Sequence, residues 1–196
     1  MTSVRRVSRS RSHRPLASPG DATGGENMSS FEIRHTFPIT GEQFWEAMFF
    51  NEEFNQELYL NRLGFQQYEL LELREESGGV KVRKVRTTLA IEAPGPVRKM
   101  VGDTISYVES GKYDPATQRY RFRIEPSKLA DKLQIGGEMW CEARGDERVE
   151  RIVKVDVTAK VFGVGKLIEA TVEKNTRDTY DKASEFSNEW IAEKGL

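Results

Sequence analysis

Six strand-length segments follow one another between residues 65 and 161, and a short turn separates each from the next. The segments cover about 65–75, 80–91, 103–113, 117–125, 133–144 and 148–161. Gly, Pro, Asp or Ser occupies most of the breaks between them, as in Ser77-Gly78-Gly79 and Asp114-Pro115. Breaks of this length and composition join neighbouring antiparallel strands. The order therefore predicts an antiparallel meander, and few folds are compatible with one of this length.

The last segment and the residues after it indicate which faces are buried. From 148 to 161, valines such as Val153, Val155 and Val157 alternate with charged residues, which gives the strand one apolar face and one polar face. From Lys166 to Lys194, apolar residues recur at steps of three and four. This spacing predicts a long amphipathic helix of about seven turns. The helix stripe and the apolar face of the sheet each need a partner, and each can cover the other.

A short strand and two short helices are predicted before the meander. Residues 31–37 alternate apolar and polar side chains, and Pro38 ends the strand. Thr40 and Gln43 have the spacing of a capping box, which begins a helix that carries aromatic residues. A second helix follows and stops at Gly64. The chain is therefore expected to be an α+β protein with a curved seven-stranded antiparallel sheet wrapped around a long C-terminal helix.

In the strand at 80–91, the apolar phase slips between Val82 and Val85. A slip of this kind indicates a β-bulge, and a bulge bends a sheet sharply. The bend is expected to help the sheet enclose a volume. It also makes Arg83 or Lys84 a candidate for an inward-facing charge.

Residues 1–30 differ in composition from the rest of the chain. They contain five arginines and two acidic residues, with many serines and no apolar periodicity. A segment like this cannot repay the entropy of ordering, so we expect 1–30 to be disordered and 31–196 to be the folded domain. Three roles stay open for the segment: an inert leader or tail, with Met28 as the true start; an organelle transit peptide in 1–27; or an arm that binds nucleic acid or lipid. Unless it is a transit peptide, the expected location is the cytoplasm.

Composition excludes several classes of protein. Cys141 is the one cysteine, so the chain has no internal disulfide. No apolar run reaches the ~18–20 residues that span a bilayer, and the composition is that of a soluble globular protein. The formal net charge is -1, so no single-sign field covers the surface, and nucleic acid is not an expected partner.

The order of elements and two segments of sequence resemble a known superfamily. Residues 155–169, Val-Asp-Val-Thr-Ala-Lys-Val-Phe-Gly-Val-Gly-Lys-Leu-Ile-Glu, run from a valine-rich strand through Gly-x-Gly into a helix, and residues 183–191 end on Trp-Ile. The chain from about 31 to 194 resembles the START/Bet v 1-like (SRPBCC) proteins of helix-grip fold. Within that superfamily it is most similar to a small bacterial START-like branch of unknown function. The superfamily includes lipid-transfer domains, birch-pollen-allergen-like proteins and polyketide cyclases.

The resemblance implies a cavity between the sheet and the long helix that takes an apolar or amphipathic small molecule. The residues expected to line it are aromatic, aliphatic or small and hydroxyl-bearing. They are Trp45, Phe49, Tyr107, Tyr120, Phe122, Met139, Val153, Val155, Val157, Ile168, Val172 and Thr176. The same side chains could instead form a filled core, as any domain of this size requires.

Two further sets of residues are expected to take part in ligand binding, one as a polar anchor and one as a gate. Arg83 or Lys84 could hold a polar group of the ligand. Two breaks between elements could act as a gate: the one at 93–96 lies over the cavity mouth by analogy with the family, and the one at 163–165 could be a hinge of the long helix. Equally, these residues could only turn the chain. The gate candidates are Pro94, Gly95, Pro96, Gly163 and Gly165. Arg98 and Lys99, beside the expected mouth, suggest a transient contact with a membrane surface.

The sequence offers little for catalysis, and we predict no catalytic residues, metal or cofactor. His35 has no partner in any motif, and Cys141 alternates in phase with core residues. The strand carboxylates Glu92, Glu138 and Glu142 are expected to face solvent. The predicted function is therefore non-enzymatic binding or transfer of a hydrophobic or amphipathic small molecule, such as a lipid, isoprenoid or sterol-like compound. The alternatives are a polyketide cyclase- or hydrolase-like enzyme with the same cavity, and a partner-binding module with a filled core.

Overall fold

The computed structural model describes residues 28–196. The predictions for residues 1–27 lie outside the described residues. Ser29 and Ser30, which were expected to be disordered, instead pair with Val157 and Asp156 at the start of the first strand. Among residues 28–196, no helix is long and apolar enough to cross a membrane.

Seven antiparallel strands form one open sheet with the order β1-β7-β6-β5-β4-β3-β2, as the turn pattern predicts. Consecutive strands from β2 to β7 are neighbours, and β1 pairs with β7. The strands are β1 Ser29–Phe37, β2 Gln67–Glu75, β3 Lys81–Ala90, β4 Thr104–Asp114, β5 Arg119–Pro126, β6 Leu133–Ala143 and β7 Val149–Ala159.

The predicted helices are also confirmed. Helix α1, Gly41–Gln43, begins with both hydrogen bonds of the Thr40 capping box and continues as a π-helix over Phe44–Phe49. Helix α2, Glu52–Gln56, likewise continues as a π-helix over Glu57–Arg62. The long C-terminal helix, Gly165–Lys194, packs against β1 and β7 and covers the apolar face of the sheet.

One helix was not predicted. The segment around Pro94-Gly95-Pro96, expected to be a loop, begins helix α3, Gly95–Val101, and the long helix is therefore α4. Proline stops a strand, but its fixed φ also suits the first turn of a helix. Val97 and Val101 are buried, so α3 contributes to the interior.

The β-bulge lies in β2 and not in β3. The register of the β2–β3 pair shifts between Leu70 and Glu72, whereas β3 pairs with β4 without interruption. The apparent slip in β3 arises because Arg83 occupies an inward position in regular alternation with Val85. The prediction of a bulge in β3 is therefore wrong, and the charged side chain inside the protein is what disturbed the pattern.

Strand registers define two ends of the sheet. Ala90 pairs with Thr104, and Leu133 pairs with Ala159, so the loops that follow β3, β5 and β7 meet at one end, which we call the open end. Helix α3 lies in the first of these loops. The opposite end, with the β4–β5 and β6–β7 turns, is covered by aromatic residues of the first helix and is called the closed end.

The start of α4 is fixed to the sheet by a buried carboxylate. Glu169 accepts hydrogen bonds from the Ala159 backbone N–H at 3.0 Å, the Ser29 hydroxyl at 2.5 Å and Lys166 Nζ at 2.7 Å. Burial opposes the charge, but these bonds outweigh it and hold the pKa of Glu169 below its usual value. Gly165 is required nearby, since a Cβ there would overlap the Ala159 carbonyl. The contacts join α4 to both β1 and β7.

Replacement of this carboxylate should loosen the helix from the sheet. We expect Glu169→Gln to lower the free energy of unfolding by about 1–3 kcal/mol, because the part-buried Ala159 N–H and Ser29 hydroxyl lose a charged acceptor. The control is Glu173→Gln, whose carboxylate pairs with Arg177 within α4 and should cost about 0.2–0.5 kcal/mol. Urea denaturation measures both values. Equal losses in the two variants would contradict this role of Glu169.

Candidate functional site

A cavity of about 230 Å³ lies between the sheet and α4. Its wall is mostly aliphatic and aromatic, with side chains from the first two helices, α3, the strands and α4. Eight of the twelve residues predicted to line it do border it. They are Phe49, Tyr107, Phe122, Met139, Val155, Ile168, Val172 and Thr176.

The other four predicted lining residues are buried but do not border the cavity. Val153 and Val157 lie in the packed core of β7, where α4 packs directly on the sheet. Trp45 and Tyr120 belong to the aromatic cluster at the closed end: Trp45 contacts Tyr113 with ring centroids 4.4 Å apart, and Tyr120 contacts Phe49 at 4.8 Å. The alternation of apolar and polar residues correctly predicted that these four side chains are buried, but it could not distinguish residues of the cavity wall from residues of the packed core.

A buried ion pair lies beside the cavity near the closed end. Arg83 is 2% exposed, and its Nη1 is 3.1 Å from Oε1 of Glu109, which borders the cavity. Asn55 Oδ1 accepts from Arg83 Nη2 at 3.3 Å, and the guanidinium stacks over the Phe49 ring. Burial alone would lower the pKa of Arg83, but the Glu109 charge raises it. Of the two predicted anchor residues, Arg83 is therefore inward, whereas Lys84 is on the opposite face of β3.

The Glu109 carboxylate has a second partner that depends on a glycine. The Tyr120 hydroxyl donates to Glu109 Oε1 at 2.8 Å. This ring lies across Gly111, where any Cβ would overlap it. Gly111 therefore makes room for the Tyr120 hydroxyl to reach the carboxylate. Glu109 is satisfied on Oε1, and its Oε2 makes no hydrogen bond to the residues that the structure describes.

A second buried guanidinium, that of Arg151, borders the cavity and was not predicted as a site residue. Arg151 is 5% exposed and stacks between the rings of Phe37 and Tyr180. Its Nη2 is 2.7 Å from Nδ1 of His35, and Nε2 of His35 is 3.0 Å from Asp181 Oδ1. Since arginine only donates, Nδ1 of His35 accepts, and its Nε2–H donates to Asp181. The histidine is therefore neutral and has two partners.

The remaining titratable groups near the cavity hold their protons. Burial raises the pKa of Tyr59, Tyr107 and Tyr180, so these side chains are neutral phenols. Burial also raises the pKa of the Cys141 thiol to about 12, which leaves it a poor nucleophile.

The predicted surface carboxylates lie outside the cavity. The Glu92 side chain is 85% exposed, while Glu138 and Glu142 are partly exposed and paired with arginines. Instead, Glu109 is the carboxylate on the cavity wall, and it was not among the residues considered. Within residues 28–196, no group of three or more His, Cys, Asp or Glu side chains could hold a metal ion.

At the open end, the segment that leads from β3 into α3 is connected to α4 by the side chain of Asn175. Its Nδ2 donates to the Glu92 carbonyl at 2.8 Å, and its Oδ1 accepts from the Glu92 N–H at 3.2 Å. We call this pair of bonds the Asn175 latch. Asn175 and Val97 border the cavity, so the latch holds closed the segment that covers its open end.

The structure places all five gate candidates at the open end. Pro94 caps α3, and Gly95 and Pro96 form its first turn. Gly163 has a positive φ of 77° before α4. Gly165 is held against the end of β7, so only Gly163 of this pair has the freedom of a hinge residue. Sequence reasoning missed the Asn175 latch, which has no motif.

Comparison with protein families gives one match over most of the chain. The family described as "Protein of unknown function (DUF2505)" matches residues 32–191. No curated protein matches the chain significantly.

Solved structures share the fold at low sequence identity. The ZhuI aromatase/cyclase from Streptomyces sp. R1128 is 17% identical with a TM-score of 0.59, covering 84% of this chain and 96% of that one. A START superfamily protein from Mycobacterium smegmatis is 14% identical with a TM-score of 0.54, covering 84% and 98%. A norcoclaurine synthase mutant from Thalictrum flavum, in complex with a transition-state analogue, is 12% identical with a TM-score of 0.59, covering 86% and 97%. The predicted helix-grip fold is therefore confirmed.

The contact between His35 and Arg151 makes stability depend on pH. Burial and the positive charge of Arg151 lower the pKa of His35 from its ordinary 6.5. The unfolded chain therefore takes up the proton first, and the free energy of unfolding should fall as the pH drops from about 7 to about 5. His35→Asn keeps an acceptor for Arg151 but does not titrate, so its stability should fall less over this range. Thermal denaturation across the range measures this, and parallel curves would contradict the assignment.

Proposed function

The chain belongs to the DUF2505 family, and we propose that it binds a hydrophobic or amphipathic small molecule non-covalently in the cavity between the sheet and α4. The observation that carries the proposal is the cavity itself, because a filled core would leave no such volume. Apolar walls favour an apolar ligand, since its transfer from water is favourable. A few polar groups at one end can orient it.

The size of the cavity narrows the range of ligands. Its 230 Å³ lies just below the ~300–1,000 Å³ that is usual for ligand pockets. A compact molecule suits this volume better than a diacyl phospholipid or a sterol. The proposal therefore favours a small aromatic, a short isoprenoid or a medium-chain lipid.

We propose that the ligand enters through the open end, past α3. The segment that covers this end is short, and the Asn175 latch connects it to α4. The gate residues Pro94, Gly95, Pro96 and Gly163 flank the same opening. Glu169 fixes the start of α4, so α3 is the element that moves.

A membrane surface is the proposed source of the ligand. Phe162 is fully exposed in the loop between β7 and α4, at the same end as Arg98 and Lys99. An exposed aromatic ring and basic side chains at one end of the protein suit transient insertion at an anionic lipid surface, although Arg98 also pairs with the exposed Asp103. This contact would bring the open end of the cavity to the membrane.

The alternative is an enzyme with the same cavity, and one observation favours it. Glu109 borders the cavity with Oε2 free of hydrogen bonds to the residues described here, while Arg83 and Tyr120 hold Oε1. A carboxylate fixed in this way could accept a proton from a bound substrate. Cavity-bordering tyrosines could then donate hydrogen bonds to a developing oxyanion.

Obstruction of the cavity tests the proposal. We expect the full chain, purified from bacterial cells, to carry a compound of defined mass, detected by native mass spectrometry and organic extraction. Val172→Trp should abolish this, because the new ring occupies the cavity. Glu185→Trp, on the exposed side of α4, is the control and should retain the compound.

The outcomes distinguish non-covalent binding from catalysis. Two outcomes would contradict the binding proposal. In one, both tryptophan variants lose the compound. In the other, no form of the protein carries a compound, and the protein does not bind added fatty acids, sterols or aromatics. The enzyme would be favoured instead if an added compound is recovered with an altered mass after incubation with the unaltered protein, but with its original mass after incubation with Glu109→Gln.

Opening of the latch should speed ligand exchange. Asn175→Ala removes both bonds of the latch and leaves the exposed Lys174–Glu92 ion pair, which contributes little. The release rate of the neutral fluorophore prodan should therefore rise about tenfold, measured by stopped-flow fluorescence. Asn188→Ala is the control, because in the described part of the chain its side chain bonds only to the Ser184 carbonyl of the same helix. Unchanged release with Asn175→Ala would exclude this segment as the gate.

A further inference from the structure

We propose that Arg151 forms an anion subsite in the cavity and that the ligand is a compact apolar molecule that carries a carboxylate. This inference rests on the proposed function and specifies the chemical class of its ligand. It is argued from the burial of Arg151, the balance of charge around the cavity and the direction in which polarity changes along it.

Arg151 is a buried cation without a carboxylate partner among residues 28–196. A guanidinium has five N–H donors, and the one hydrogen bond that Arg151 makes in this part of the chain is to the neutral ring of His35. Its Nε is buried and has no hydrogen-bond partner. A buried charge of this kind is costly, and pairing with an opposite charge recovers the cost.

The charged groups that border the cavity do not balance. Among residues 28–196 they are Glu109 and Arg151. Glu109 is already neutralised by Arg83 at 3.1 Å, which leaves Arg151 as an uncompensated positive charge. Asp181 lies beyond the His35 ring, and its side chain is 64% exposed, so water screens its charge. The site therefore lacks one negative charge, which a ligand can supply.

Polarity also changes along the cavity. Arg151 is the third residue of β7, close to the closed end, whereas Val97 and Val101 border the cavity at the open end. Tyr180 borders the cavity beside Arg151, and its hydroxyl makes no hydrogen bond within the described residues. A ligand with its carboxylate toward Arg151 can accept a second bond from this phenol. Its apolar body then extends toward α3.

The test compares ligands that differ only in the head group. Isothermal titration calorimetry of the full chain would use 3-phenylpropanoate and octanoate, with the matching primary amides and amines. We expect each acid to bind roughly 10- to 100-fold more tightly than its amide, because charge-assisted hydrogen bonds form with Arg151. The amines should bind most weakly.

Variants assign the preference to Arg151. Arg151→Gln should abolish the advantage of the acid over the amide, and Arg151→Lys should restore part of it. The control is Arg177→Gln, which removes an arginine that stacks on Phe31 outside the cavity. It should retain the full preference.

The outcomes distinguish failure of the subsite from failure of the proposed function. Equal binding of acid and amide to the unaltered protein would overturn the subsite and leave the binding function intact. Acid preference that persists in Arg151→Gln would also overturn it. If neither acids nor amides bind, the proposed function fails together with the subsite. The comparison on the unaltered protein holds even if Arg151→Gln does not fold.

Discussion

The ion pair between Arg83 and Glu109 is the interaction on which the interior depends. An apolar enclosure tolerates charges only when they are paired and hydrogen-bonded. The pair satisfies this requirement with the help of Asn55 from α2 and Tyr120 from β5. It therefore joins β3, β4, β5 and the second helix at one place. Because Arg83 lies near the start of β3, the pair fixes these elements close to the closed end.

Much of the fold could be predicted because its signals are local. Turn residues separate the strands, alternation marks their buried faces, and the capping box at Thr40 begins the first helix. Helix α3 is absent from the predictions because Pro94 and Pro96 were assigned to a gate loop or to a break between strands, although the fixed φ of proline also suits the first turn of a helix. The bulge was misplaced for a different reason: Arg83 broke the apolar pattern of β3 while the backbone stayed regular. In a sequence, an inward-facing charged residue gives the same break in apolar alternation as a β-bulge does.

The site was harder to predict, although its signal was present. Glu109 lies in phase with Tyr107 and Tyr113, and Arg151 lies in phase with the valines of β7. A charged residue in phase with an apolar strand face must point inward, where it needs a partner or a ligand. By contrast, no local pattern separates Val155, on the cavity wall, from Val153, in the packed core. That distinction depends on where α4 lies across the sheet.

The two buried arginines differ in a way that matters for function. Arg83 has a carboxylate partner from its own chain, so its charge serves the fold. Arg151 has a neutral histidine and two aromatic rings, which orient the guanidinium without neutralising it. Stability alone would favour a carboxylate in the place of His35, since a paired charge is less costly to bury. A cation that is positioned but left unpaired gives up stability, and proteins retain such arrangements where a bound ligand restores it.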